Sequence, residues 1–321
     1  RLWRLVGMVR RANAGLLHSS EIELNMIQSD LKFTVSAGKR IMMLVCTWIM
    51  CAIIFSLIYG LLTMSGLSAI KLRIAMTLQD ILVFVLPAAI TAVVVSRRAA
   101  QMLMLLKRPG MINIIIVFMI LIASMPLMAF IIDWNQHITL PEQLSDVEQW
   151  MRDAETSASE SMSLVMGKSS VGALVINIML IGIMAAFSEE LFFRGALQRI
   201  LATSSVGRHA AIWITALVFS AAHMQFLGFF PRLILGVFFG YLALWSGSLW
   251  LAFAGHALNN TIAVILTWIK DRTAGACDID AAATSMTADN VAILVFSAAL
   301  TALWVWLLWR RLNGGRAEAD N

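Results

Sequence analysis

Long apolar runs separated by short polar connections dominate the chain. They lie near 41–64, 80–96, 111–132, 175–201, 210–230, 233–247, 249–268 and 291–309. About 20 apolar residues are needed to cross a hydrocarbon core of about 30 Å as a helix. In lipid a helix also satisfies its own backbone hydrogen bonds. The pattern predicts an all-α fold, a polytopic transmembrane helical bundle of about eight spans, with 80–96 and 233–247 the shortest. Polar intervals divide it further. Residues 1–40 form a basic N-terminal segment, 41–132 the N-terminal transmembrane helices, and 133–174 an acidic loop. Residues 175–268 form a core, 269–309 a loop and the last span, and 310–321 a tail. The acidic loop places Leu144, Val147 and Met151 at helical spacing, which fits either a short amphipathic helix on the membrane surface or a linker.

Composition agrees. The chain is 60% hydrophobic and 13% charged, against about 25% charged residues in a soluble domain. The net charge of +5 reflects basic residues at span ends, so it speaks to topology rather than to nucleic-acid binding. Seven Lys/Arg lie in 1–40, and Arg97, Arg98, Lys107 and Arg108 share one loop, while 133–170 holds seven acids against two bases. The positive-inside rule then places both termini in the cytoplasm and the acidic segment outside. Lys71 and Arg73 are exceptions, on the outer side. Tryptophans such as Trp48, Trp134, Trp150 and Trp250 fall near the predicted interfaces, as an aromatic belt would. The three cysteines form no framework: Cys46 and Cys51 share a span and Cys277 stands in a loop.

Polar side chains inside the apolar runs carry the chemistry, because an ionisable group in hydrocarbon is costly and so usually functional. Three patterns stand out: Glu189-Glu190-x-x-x-Arg194, Phe219-x-x-x-His223 and His256-x-x-x-Asn260. Glu190 and Arg194 share a helix face and form a natural ion pair. Glu189, rotated about 100° away, has no local partner and is placed to act as a general base. Phe219, one turn before His223, would wall its imidazole from lipid. His256 and Asn260 share a face and can both donate to a developing oxyanion; spacing leaves Asn259 open as the alternative amide. The competing reading for each group is interhelical hydrogen bonding. Glu189, His223 and His256 could also ligate Zn²⁺ with a position open for water. Depth along the predicted spans puts Glu189 near mid-membrane and separates the two imidazoles by roughly 10 Å at 1.5 Å per residue. Gly236-x-x-x-Gly240 suggests helix packing, and Asp80 and Asn177 suggest structural roles. No H-E-x-x-H, nucleophile elbow or P-loop occurs.

On these three motifs, in this order over residues 175–268, the chain resembles the CPBP family, also called Abi or type II CAAX prenyl endopeptidase-like. The resemblance implies an eight-span intramembrane endopeptidase acting on a peptide or membrane-protein substrate. It implies that Glu189 and His223 activate water and that His256 and Asn260 form the oxyanion site. Members are commonly labelled metalloproteases, although a glutamate-dependent, metal-free mechanism is the better-supported one for eukaryotic-type enzymes. The resemblance and the compact chain together suggest a bacterial cytoplasmic membrane. A non-catalytic membrane immunity or scaffold protein is the alternative.

Overall fold

The computed structural model describes residues 33, 35–167, 170–273 and 288–317. Most of the basic N-terminal segment, Cys277 and the end of the tail lie outside the described residues. The described chain is helical, with one isolated antiparallel bridge between Phe33 and Ser96. The helices are α1 (Ala37–Thr63), α2 (Ala69–Val95), α3 (Met111–Gln136), α4 (Ser145–Met166), α5 (Val171–Ala202), α6 (Arg208–Ala222), α7 (Phe229–Ser246), α8 (Leu249–Arg272) and α9 (Ala288–Ala317). Six of these, and the Val291–Asn313 part of α9, are long and apolar enough to cross a membrane; α6 is a shorter apolar helix. An all-α polytopic bundle of about eight spans is what this amounts to.

Helix α5 sits at the centre. It packs on α8 along much of its length and on α2 and α6 at its buried end, while α6 pairs with α7 and α3 with α9. Small residues set the closest approaches. A Cβ on Gly182 of α5 would lie 2.6 Å from Thr261 Oγ1 of α8, and one on Gly236 of α7 would lie 3.1 Å from the Ala216 Cβ of α6. Gly236 and Gly240 are therefore packing glycines, as their spacing suggests.

Three segments in two spans, α2 and α5, depart from the α ladder. Residues Asp80–Val85, Ile178–Ala185 and Leu191–Gln198 are π-helical. The first ends two residues before Pro87, which has no N–H to donate to the turn before it. The other two flank Ala186–Glu190, the short α-helical stretch that carries the paired acids. Widened turns of this kind concentrate at functional sites.

Two expected boundaries move. The run expected at 80–96 begins at Ala69, because its two cations find partners. Lys71 Nζ folds back to Ser65 Oγ (2.6 Å) and the Gly66 carbonyl (2.8 Å). Arg73 Nη2 donates to the Val165 carbonyl at 2.7 Å and to Asn177 Oδ1 at 3.3 Å. The run expected at 210–230 stops at Ala222. Met224 takes a left-handed conformation (φ 54°), a 3-10 turn spans Phe226–Gly228, and α7 starts at Phe229. Pro231 thereby falls in the first turn of α7, where a missing N–H costs nothing.

The acidic loop is mostly helix. In α4 the Glu148 carboxylate accepts from the Leu140 N–H (2.8 Å) and from Arg152 Nη2 (2.7 Å). Leu144, Val147 and Trp150 remain exposed, while Trp150 also meets Phe226 at 5.3 Å. The helix is longer than the segment the apolar spacing suggests and is tied to the turn between α6 and α7.

Candidate active site

The Glu190–Arg194 pair forms as its spacing predicts. Arg194 Nη1 donates to Glu190 Oε1 at 2.7 Å, and neither side chain has any solvent exposure. A buried pair needs further partners to offset desolvation. Arg194 Nη2 donates to the Gly236 carbonyl at 2.9 Å, and the guanidinium carbon lies 4.7 Å from the Phe219 ring centre and 5.7 Å from that of Phe239. A cation over an aromatic face is attracted by the ring quadrupole.

His256 joins this pair. Its Nδ1 is 2.8 Å from Glu190 Oε1 and its Nε2 is 3.8 Å from Glu189 Oε2. An ionised carboxylate only accepts, so Nδ1 carries the hydrogen. Nε2 is then a lone pair in the neutral ring and a donor in the imidazolium. The ring stacks on Phe239 at 5.0 Å and meets the edge of Phe219 at 5.8 Å. Glu189 differs from its neighbour: its side chain keeps 14% exposure, against none for Glu190. Of the two adjacent acids, one is bonded within the helix packing and the other stays partly exposed.

His223 ends α6. Its Nδ1 is 2.8 Å from the Phe219 carbonyl, which accepts, so Nε2 is left with its lone pair. Its ring lies 5.0 Å from the Phe219 ring. Phe219 thus touches Arg194, His223 and His256 together, more than the wall its position one turn before His223 suggests. Both imidazoles lie against this one ring, His223 from the end of α6 and His256 from within α8.

The amides of α8 are arranged in series. Asn260 Nδ2 donates to the Ile181 carbonyl at 3.1 Å, and Asn259 Nδ2 donates to Asn260 Oδ1 at 3.3 Å. Ile181 lies in a π-helical turn, and its neighbour Gly182 gives α8 the room to approach. One N–H of Asn260 is therefore committed to α5 and the other remains.

Several contacts at the site cannot be read from the spacing of the motifs. Asp80, buried on α2, accepts a hydrogen bond from Ser188 Oγ at 3.0 Å, one residue before Glu189. Phe239 and the carbonyls of Ile181 and Gly236 are visible only once the helices are packed. A buried Ser immediately before paired acids was the one clue available. Among the described residues no group of three His, Cys, Asp or Glu is disposed to hold a metal ion. Glu189 and His256 approach one another, but His223 does not complete a zinc set with them in this geometry.

Comparison with known proteins agrees with the motifs. Residues 171–262 match the family described as Rce1-like, Type II CAAX prenyl endopeptidase Rce1-like, a stretch that contains all three motifs. No curated protein and no solved structure matches the chain. The chain thus has the helices of an integral membrane protein, and its residues 171–262 are similar to the Rce1-like CAAX protease domain.

Proposed function

We propose that the chain is an intramembrane endopeptidase that hydrolyses a peptide bond in or near the membrane. The observation that carries this reading is the division of labour between adjacent acids. Glu190 Oε1 is shared by Arg194 and His256 in a fully buried side chain, while Glu189 lies 3.8 Å from His256 and keeps 14% exposure. In this reading Glu189, with the free Nε2 of His223, takes a proton from water as its oxygen attacks the scissile carbonyl carbon. His256 Nε2, in the protonated ring, and the uncommitted N–H of Asn260 donate to the resulting oxyanion. Collapse breaks the C–N bond and Glu189 returns its proton to the leaving amine. No step is routed through a metal, so cleavage is expected to persist under chelation. Both termini are placed in the cytoplasm on the basic residues that flank the spans.

The test uses purified protein in proteoliposomes and quenched-fluorescence peptides with and without an S-farnesyl group. Glu189→Gln and His223→Ala are each expected to lower cleavage by about 10²- to 10⁴-fold, the usual worth of a general acid–base group. Unchanged cleavage in both variants would sink the assignment. A scaffold or immunity role is the second reading, favoured by the dense mutual bonding of Glu190, Arg194 and His256. It requires Glu189→Gln to keep full biological activity.

A further inference from the structure

His223 stands at the end of a helix, not within one, so something must fix the turn that follows it. That turn is Met224 to Gly228, and Arg232 from the first turns of α7 folds back over it. Arg232 Nη1 donates to the Gln225 carbonyl at 2.8 Å and Nη2 to Gln225 Oε1 at 2.6 Å. Both ends of the guanidinium fork thus grip one residue, two positions after His223. Gln225 Nε2 in turn donates to Glu155 Oε1 of α4 at 3.3 Å. The guanidinium lies flat against Gly228, where a Cβ would come within 2.9 Å of Nη2 and 3.0 Å of Cζ and Nη1.

We propose that Arg232 is a positioning residue for His223, holding the imidazole in register with Glu189 through its fork on Gln225, with Glu155 of α4 as the outer tie. The inference rests on the hydrolase reading above. Two observations separate it from ordinary turn packing. The turn already has its own anchors: Asn135 donates to the Phe226 carbonyl (3.1 Å) and accepts from the Phe230 N–H (2.9 Å), and Ser220 Oγ donates to the Phe229 carbonyl (2.6 Å). All three act beyond Gln225; His223 and Met224 keep only backbone bonds to Ser220 and Ala221 of α6, and the side-chain ties at Gln225 itself are Arg232 and Glu155. In addition, the residue that Arg232 grips is itself bonded to Glu155 of α4, so the fork joins the end of α6 to that helix through Gln225. A cation that spends both Nη groups on an amide and a carbonyl, not on a carboxylate, is a costly way to hold a turn unless the position of the turn matters.

Gly228→Ala and Arg232→Gln test this together. The first keeps the charge and displaces the guanidinium; Gly228 sits at φ −119°, which alanine adopts without strain. The second keeps the length and removes the charge. Both are made in the full chain in lipid nanodiscs, with the farnesylated and unfarnesylated peptides above as probes. A 13C-histidine NMR spectrum is recorded alongside, with His223 and His256 assigned from His223→Gln and His256→Gln. Both variants should lower kcat by about 10- to 100-fold, the scale of an ångström-level misplacement, with KM within about twofold. Both should move the His223 resonance and leave that of His256. Wild-type kcat and an unmoved His223 resonance in both variants would overturn the proposal, as would equal displacement of both imidazoles with a lowered Tm, which marks a general packing role. If instead Glu189→Gln still cleaves, or the wild type cleaves neither peptide, the hydrolase reading fails, and the His223 resonance alone still decides whether Arg232 sets its position.

Discussion

His223 and His256 meet the same phenylalanine ring from supports of different kinds. His256 lies within α8, 5% exposed, hydrogen-bonded to Glu190 and stacked on Phe239. Its position follows from burial, and few rearrangements are open to it. His223 sits at a helix end, half-buried, bonded to a carbonyl of its own helix and held in place by a turn whose ties run outward to α3, α4 and α7. One half of the site is fixed by what excludes water and the other by contacts that water can reach. The first kind of support couples geometry to stability. The second leaves geometry adjustable at little cost to the fold.

Removing the buried anchor is the harshest way to break that contrast. Glu190→Ala leaves Arg194 without its carboxylate and His256 without its acceptor, and loss of one member of a buried pair costs about 3–5 kcal/mol. Denaturant unfolding in detergent should show a loss of that size, and activity should vanish with it. His223→Ala, by contrast, should leave the unfolding midpoint nearly unchanged while cleavage is lost. A similar loss of stability in the two variants would erase the distinction.

A milder change tests the contact between α5 and α8. Gly182→Ala drives a methyl to 2.6 Å from Thr261 Oγ1, and overpacking of this kind costs about 1–3 kcal/mol. It should also pull Asn260 off the Ile181 carbonyl, lowering kcat more than a change of equal stability cost on the lipid-facing side of α1.

The smallest effect concerns the outer helix. Glu148 on α4 is held below its usual carboxylate range, first by the Leu140 N–H and then by Arg152. A lowered value in the folded state means that this tie is complete above the ordinary carboxylate pKa of 4.5 and is lost as pH falls from there through the lowered value. The protection factor of the Leu140 amide, its exchange measured against the intrinsic rate at the same pH, should therefore fall in acid and be insensitive to pH between 6 and 8, roughly, two units or so above that range. Loss of protection near neutrality would contradict it.

Much of the frame was legible in the sequence. Apolar runs of sufficient length can only cross lipid as helices, and the i, i+4 spacing of Glu190 and Arg194 led directly to their ion pair. The partner of His256 was not legible: its Nδ1 goes to Glu190, a contact between helices 66 positions apart, and spacing within a helix says nothing of that. The end of α6 was misjudged because residues 223–230 are as apolar as the helix before them. Gly228 and Pro231 were the only breakers, and they act on the turn and the next helix. The π-helical turns were invisible because apolar side chains look alike whether the ladder runs to i−4 or i−5.

The π-helical turns on either side of Ala186–Glu190 have a consequence for how α5 tolerates change. A widened turn can give up one residue by relaxing to the α ladder, but removing Phe187 from the α-helical stretch between them would shorten the span by about 1.5 Å, a change any bilayer absorbs, and turn everything before it by about 100° relative to the acids. Ile181 and Gly182 would then face away from α8. The membrane senses only how long this helix is; the site depends on its phase, and an alignment scored on hydropathy alone would miss the single-residue deletion that disables it.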